Sequence, residues 1–302
     1  AKVATRVAIG YTLDEIVNGV TGETTACFEP TLDYVVVKYP RWPFDKFPHA
    51  DTRIGTQMKA TGEVMSIGSN FQSALLKAVR SLELGQFSLE MPSLRQYGEN
   101  QLMEMVRHAD HQRLFVVAEL FRRGVSVDAV FEATQIDRWF LGHVSGMVEL
   151  EERAKHMPLS MYDHDTMLEM KRYGVADAAL AQWNNVTEDE VRAKRKELSV
   201  LPAYRMVDTC GGEFAAVSPY YYSCYGAENE YEDNGRERVC VLGSGPIRIG
   251  QGIEFDYCSV HCVFSLERMG YDTVIINNNP ETVSTDFDIS TRLYFEPLAR
   301  ED

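Results

Sequence analysis

The sequence predicts a chain of several structural units, in which α+β and α/β parts flank a centre made of helices. With 302 residues the chain exceeds the usual size of a single domain. An apolar stripe at helical spacing, which includes Trp139 and Phe140, runs from Ile136 to Leu150. From Arg238 a strand, a glycine-rich loop, a helix and a second strand follow one another, which is typical of a parallel, doubly wound sheet.

The first region, residues 1–84, reads as mixed α/β. It opens with a predicted helix in which Val3, Val7 and Ile16 recur at helical spacing. A β-rich run over residues 32–39 then predicts a strand. Prolines follow that run directly, and because proline cannot donate to a strand ladder we expect the strand to end there.

Residues suited to helix capping mark the starts of three further helices. After a short predicted strand at residues 63–68, the hydroxyl of Ser69 can cap a helix with one apolar face. Ser126 precedes another helical pattern, and Thr187 with Glu190 forms a capping-box signature. These signals predict that the region from about residue 99 to residue 198 is helical.

Residues 201–235 are rich in tyrosine, acidic and punctuated by glycine, which indicates an irregular linker. We therefore expect three units, with boundaries at residues 1–84, 85–235 and 236–302. The central unit is predicted to be all-helical apart from this linker.

Charge and composition exclude some classes of function. A formal net charge of −15 argues against a surface that neutralises nucleic-acid phosphates. No apolar run approaches the roughly 20 residues that cross a bilayer, so we expect no role in a membrane. The six cysteines match no disulfide scaffold, which predicts reduced thiols and a cytoplasmic location.

The glycine loop, residues 243–252, is the most suggestive local feature. Glycines between a strand and a helix let backbone N–H groups approach a phosphate or a carboxylate. A dinucleotide fingerprint would place glycine at Arg248 and an acid at Asn277, and a phosphate loop would place lysine at Gln251. Two interpretations follow from spacing alone: a shaped turn, and a nucleotide site.

The helix after the glycine loop carries several chemically interesting side chains. Cys258, His261 and Cys262 share one helix face, and we predict that this face packs in the core against the sheet. Glu254 and Asp256 precede them in the first turn, where acids favourably oppose the positive end of the helix dipole.

Long motifs carry a resemblance to a known family. GSGPIRIGQGIEFDYCSVH followed by NNNPETVSTDFDISTRLYFEP resembles the start of the second synthetic half of carbamoyl phosphate synthase large subunits. AKVATRVAIGYTLDEI and ACFEPTLDYVVVKYPRWPFDKF resemble the tail of the first ATP-grasp unit in that family. SVDAVFEATQIDRWF and RMVDTCGGEFA are similar to the region between the two halves, so the resemblance covers nearly the whole chain.

The resemblance implies a partial ATP-grasp unit, a helical oligomerisation domain and the opening βαβ of a Rossmann-like pre-ATP-grasp domain. The family's large subunit is a ligase that makes carbamoyl phosphate from bicarbonate, glutamine-derived ammonia and two ATP, for pyrimidine and arginine synthesis. It works with a glutaminase small subunit and uses ATP with magnesium or manganese and potassium. Self-association through the helical domain is also implied.

The resemblance also implies that this chain is an internal piece of such a subunit. The family's catalytic, ATP-binding and metal residues correspond to positions outside it, so none is assigned here and no bound cofactor is expected. Glu254 and Glu281 correspond to acids along the route that carbamate takes. We expect the piece to be inactive alone and to connect and oligomerise. The alternatives are a non-catalytic scaffold and a dinucleotide-binding protein.

Overall fold

The computed structural model describes residues 2–19, 21–208, 210–211, 213 and 218–302. In this part of the chain there are ten α-helices and seven strands. The helices are α1 (Lys2–Ala8), α2 (Phe71–Ser81), α3 (Glu99–Arg107), α4 (Arg113–Arg122), α5 (Val127–Thr134), α6 (Arg138–Lys155), α7 (His164–Arg172), α8 (Asp177–Asn184), α9 (Glu188–Glu197) and α10 (Tyr257–Arg268). The strands are β1 (Val35–Arg41), β2 (Gly62–Gly68), β3 (Pro202–Met206), β4 (Tyr220–Tyr225), β5 (Arg238–Leu242), β6 (Asp272–Asn277) and β7 (Arg292–Phe295).

The opening helix is shorter than the sequence pattern predicts. α1 ends at Ala8, and its Val3 and Val7 are exposed. Gly10 takes φ of +107°, a conformation that ends a helix and that glycine adopts without steric cost. Ile16 therefore lies outside α1, and it is buried where its carbonyl accepts the Ala26 N–H at 2.6 Å.

The strands β1 and β2 confirm the two strands predicted for the first region. The expectation that the first strand ends at the prolines was wrong, because β1 continues through Pro40 to Arg41 and proline is tolerated on an edge strand. They pair antiparallel, and α2 packs against both of them. The capping residue of α2 is Asn70 rather than Ser69, because Asn70 Oδ1 accepts the backbone N–H of Ser73 at 2.9 Å. The helix was thus predicted correctly, but its cap was predicted one residue too early.

The helices α2 to α9 enclose the larger apolar core, to which Leu75, Leu102, Leu120 and Leu180 belong. The predicted caps at the other helices are confirmed. Ser126 accepts the N–H of Ala129, and Thr187 and Glu190 form the reciprocal capping box.

One part of the predicted apolar stripe does not face this core. Val144, Met147 and Leu150 of α6 are buried, whereas Trp139 and Phe140 are 54% and 45% exposed. The first turn of α6 therefore presents its aromatic side chains at the surface.

The five-stranded sheet has the order β3-β4-β7-β6-β5. β4, β7, β6 and β5 run parallel, and β3 is antiparallel to β4 at one edge. The predicted unit β5-α10-β6 is confirmed.

The prediction that residues 201–235 form an irregular linker was wrong at β3 and β4, so residues 85–235 are not all-helical. These strands form because aromatic side chains of β4 pack tightly. Tyr222 is fully buried, and Tyr221 lies 5.5 Å from Tyr294 of β7 between ring centroids. The sheet is therefore built from segments on both sides of residue 235.

The prediction that the helix face carrying Cys258, His261 and Cys262 packs in the core was wrong, and His261 is exposed. Both cysteines are exposed, and Val260 and Val263 form the buried side of α10. Successive residues on a helix are about 100° apart, so the face that carries the valines points away from the face that carries the cysteines.

Buried ion pairs fasten the segment after β7 to α2. Lys77 Nζ donates to Glu296 Oε1 at 2.8 Å. Arg80 donates twice to the carboxylate of Asp302, at 2.8 and 2.7 Å. All four side chains are at most 5% exposed. Because breaking a buried pair leaves an uncompensated charge, these contacts hold the segment firmly against the helices.

A second buried cluster ties the same segment to α7, α8 and β4. Lys171 Nζ donates to Glu301 Oε1 at 2.6 Å and also pairs with Asp177, which Arg195 contacts at 3.0 Å. The Tyr225 hydroxyl donates to Glu301 at 2.8 Å. Burial raises the pKa of Glu301, but the charges of Lys171 and its neighbours outweigh burial and lower that pKa to about 2.

Across the part of the chain that the structure describes, no helix has the length and apolar character that a membrane crossing requires.

Candidate functional site

The glycine loop lies at the carboxyl ends of the parallel strands. It follows β5 directly, and Gly243 N donates to the Ile276 carbonyl of β6 at 2.8 Å. The loop after β6, residues 278–285, lies beside it. In open α/β sheets this edge is where ligands bind, so the two loops form the candidate site.

Asn277, the last residue of β6, shapes the glycine loop. Its Oδ1 accepts the N–H of Gly245 at 3.1 Å, and its Nδ2 donates to Ser284 Oγ at 3.0 Å. A Cβ on Gly243 would stand 2.3 Å from Asn277 Cγ, which explains the glycine. The amide thus spans both loops, which favours the shaped-turn interpretation over a dinucleotide site with an acid at this position.

Asp256 joins the same two loops from the other side. It is 1% exposed, and its Oδ2 accepts the Thr282 hydroxyl at 2.6 Å and the Ser284 N–H at 2.7 Å. Asp256 stands at the N-cap position of α10 without capping it. Its role in the structure is therefore to connect loops, which the sequence argument from the helix dipole did not predict.

Replacing Asp256 with alanine is expected to lower the free energy of unfolding by about 1–3 kcal/mol, because two buried donors lose their acceptor. The Ser284 amide should also exchange hydrogen faster. Asp256→Asn is the matched control, since its amide oxygen can accept both bonds and should cost less. Denaturant titration with hydrogen exchange measures both effects, and equal losses in the two variants would contradict this role.

Glu254 lies at the surface of the glycine loop. Its Oε1 accepts the N–H of Gly252 at 3.0 Å. Hydrogen bonds from its own backbone N–H and from that of Gly252 lower the pKa of the carboxyl, so it is ionised at neutral pH.

Glu281 is exposed on the neighbouring loop, where its N–H donates to Asn279 Oδ1 at 2.9 Å. Its charge acts on Lys38 of β1, which pairs with Glu63 of β2 at 2.7 Å. The hydrogen bond to Glu63 raises the pKa of Lys38, and the charge of Glu281 adds to that rise.

The structure brings the segments that carry Glu254 and Glu281 together through Asp256. Asp256 is two residues after Glu254, and its partner Thr282 is the residue after Glu281. The two acids predicted from the sequence thus lie on adjoining loops. The buried Asp256 that joins them gives no signal in the sequence beyond its position in a first turn.

A cavity of about 510 Å³ opens between the glycine loop and the hairpin formed by β1 and β2. Residues 247–251 line one side, and Arg41, Lys46 and Gly62 contribute to the other. A Cβ on Gly62 would stand 2.1 Å from the Ile247 carbonyl oxygen, so the hairpin touches the loop directly. The sequence did not predict this cavity, because the residues on its two sides are far apart along the chain.

Among the residues that the structure describes, no three or more histidine, cysteine, aspartate or glutamate side chains are grouped to hold a metal ion.

Comparison with known proteins agrees with this architecture. Residues 63–199 match the family described as the carbamoyl-phosphate synthetase large chain, oligomerisation domain. Residues 235–302 match the carbamoyl phosphate synthase preATP-grasp domain. The carbamoyl phosphate synthase large chains of Clostridium beijerinckii and Clostridium perfringens are 52% and 53% identical over 302 residues. All of this chain is covered, and it spans 28% of the length of each relative.

The chain thus carries a match to an oligomerisation domain followed by a match to a preATP-grasp domain. The chain belongs to the family of carbamoyl phosphate synthase large chains.

Proposed function

We propose that this chain is the connecting and oligomerising part of a carbamoyl phosphate synthase large chain. The observation that carries the proposal is that both family matches occur in one chain, all of which aligns with the relatives. The ligase as a whole would make carbamoyl phosphate from bicarbonate, glutamine-derived ammonia and two ATP. A glutaminase small subunit would supply the ammonia in the cytoplasm.

We assign residues 1–84 to the end of a first ATP-grasp unit, residues 85–235 to the oligomerisation domain and residues 236–302 to the start of the second half. The hairpin of β1 and β2 is compatible with the edge of such a unit. ATP, magnesium or manganese, and potassium would bind to parts of the ligase outside these residues. The connecting role is supported by the buried ion pairs of Lys77 and Lys171.

We further propose that Glu254 and Glu281 line the route of carbamate towards the second ATP site. Both are exposed on adjoining loops, and Glu254 is ionised at neutral pH. An anionic wall disfavours binding of a passing anion, so it would keep carbamate moving instead of trapping it. Exclusion of bulk water along such a route would protect an intermediate that decomposes in water.

Glutamine replacements in the full-length large chain with its small subunit test this role. In Glu254→Gln/Glu281→Gln we expect bicarbonate-dependent ATP hydrolysis to persist, while carbamoyl phosphate formed per ATP falls severalfold. Glu228→Gln, which changes an exposed acid outside both loops, is the control and should leave both quantities unchanged. An unchanged yield in the double variant would exclude the assigned route.

The 302-residue chain alone provides a second test. We expect it to show no bicarbonate-dependent ATP hydrolysis above a heat-inactivated control. Hydrolysis that survives this comparison would mean that the residues of a complete ATP site lie within the chain, and the connecting role would be wrong.

A further inference from the structure

We infer that Asn234 is a site of spontaneous deamidation, promoted by the folded surroundings of the Asn234–Gly235 pair. The pair lies in the segment between β4 and β5, where both residues are exposed. Deamidation converts asparagine to aspartate or isoaspartate, so it adds a negative charge beside the sheet. The inference does not depend on the function proposed above.

Gly235 supplies the attacking backbone nitrogen. Its φ is +73°, and nothing lies within 4 Å of the position that a Cβ would take, so no side chain shields the nitrogen. The N–H donates to Asp233 Oδ1 at 2.9 Å. This hydrogen bond and the charges of Arg238 and Arg292 lower the pKa of Asp233, so its carboxylate is ionised at neutral pH and can accept the proton. A weak nucleophile is commonly activated by such an adjacent base.

The side-chain amide of Asn234 is held in place by two hydrogen bonds. Its Oδ1 accepts the backbone N–H of Arg236 at 3.1 Å, and its Nδ2 donates to Asp272 Oδ2. Because these bonds restrict rotation of the amide, less entropy is lost when the Gly235 nitrogen attacks it. The Arg236 N–H also donates to the oxygen that becomes negatively charged during the attack, as the donors of an oxyanion hole do.

The reaction proceeds through a cyclic succinimide. The Gly235 nitrogen passes its proton to Asp233 and attacks Asn234 Cγ, which closes the ring and places negative charge on Oδ1. Collapse of this intermediate restores the carbonyl and breaks the bond between Cγ and Nδ2. The departing nitrogen receives the proton from Asp233 through solvent water and leaves as ammonia. Water then opens the ring at either carbonyl and gives aspartate or isoaspartate.

Deamidation would change the contacts of Asp272, the first residue of β6. Asp272 is buried, its Oδ1 pairs with Arg236 at 3.0 Å, and its N–H donates to the Glu237 carbonyl at 3.0 Å. The reaction removes the N–H donor of Asn234 and sets a second carboxylate next to this buried acid. Because two adjacent carboxylates repel each other, we expect the segment before β5 to loosen from the start of β6.

Peptide mapping by mass spectrometry, with enzymatic labelling of isoaspartate, tests the inference on the 302-residue chain. We expect Asn234 to deamidate severalfold faster in the folded chain than in the same chain unfolded in guanidinium at the same pH. In guanidinium, Asn234 and Asn18, which also precedes a glycine, should react at similar rates. Asp233→Asn should slow the folded reaction about tenfold, because a carboxylate of lowered pKa is a weaker base than those tuned for catalysis. Glu232→Gln, which removes a neighbouring exposed charge, is the matched control and should leave the rate unchanged.

A folded chain that deamidates at Asn234 no faster than the unfolded chain would overturn the inference, since the hydrogen bonds would then protect the amide. An unchanged rate in Asp233→Asn would overturn the role of Asp233 as the base. Thermal unfolding tests the consequence: Asn234→Asp imitates one product, whereas Asn234→Ser removes the amide without adding a charge. We expect the aspartate variant to unfold several degrees lower, and equal midpoints would show that the two carboxylates do not repel.

Discussion

Replacing Lys77 with methionine is expected to lower the free energy of unfolding by about 3–5 kcal/mol. Lys77 is buried, and its Nζ donates to Glu296 at 2.8 Å and to the Ser223 carbonyl at 2.7 Å. Without the ammonium group, Glu296 stays buried with no directly bonded cation, and burial already raises the pKa of this carboxyl. Denaturant titration at neutral pH measures the loss.

A double variant distinguishes charge from packing at this site. Lys77→Met/Glu296→Gln should recover most of the lost stability, because a neutral amide can still accept the Ser223 N–H. Lys194→Met is the control, because it removes the same type of side chain from an ion pair whose acid, Glu197, is exposed. Loss of that contact should cost less than about 1 kcal/mol. If the double variant were no more stable than Lys77→Met, the uncompensated charge would not be the cause.

Replacing Gly174 with alanine is expected to cost about 2–5 kcal/mol. Gly174 follows α7 with φ of +83°, which disfavours any side chain by about 1–2 kcal/mol. A Cβ there would also stand 2.6 Å from Ser73 Cα of α2. Because the obstacle is backbone, the helices must separate, and such overpacking typically adds about 1–3 kcal/mol. Thermal and chemical unfolding measure the sum.

Gly124 provides a matched control for that substitution. It follows α4 with φ of +82° and donates to a helix carbonyl at 2.9 Å, as Gly174 does. Nothing lies within 4 Å of its Cβ position. Gly124→Ala should therefore show only the cost of backbone strain, and equal losses at the two sites would show that contact between α2 and α7 is not tight.

Local patterns predicted most elements of the fold because their causes are local. The capping box of Thr187 and Glu190, and the order strand, loop, helix, strand after Arg238, involve residues a few positions apart. β3 and β4 escaped prediction because their stability comes from pairing with each other and with β7, a contact between distant segments. The opening helix was predicted to be too long, because the spacing of apolar residues takes no account of Gly10.

The candidate site was predictable only in part. The sequence pointed to the glycine loop and, by resemblance, to Glu254 and Glu281. It did not show that Asn277 and Asp256 would hold the two loops together, because those bonds reach across 26 to 32 residues. The exposed cysteines of α10 show a further limit. Periodicity identifies the two faces of a helix, but the tendency of cysteine to be buried indicated the wrong face as the one in the core.

The buried ion pairs also have a consequence for the order in which the protein can assemble during its synthesis. Glu301, which neutralises Lys171, lies 130 residues further along the chain. At the usual pace of translation this separation is on the order of ten seconds. Throughout that interval the cations of α2 and α7 have no carboxylates from this segment, so the helices can form but cannot dock fully. Final closure of the fold therefore waits for the segment after β7.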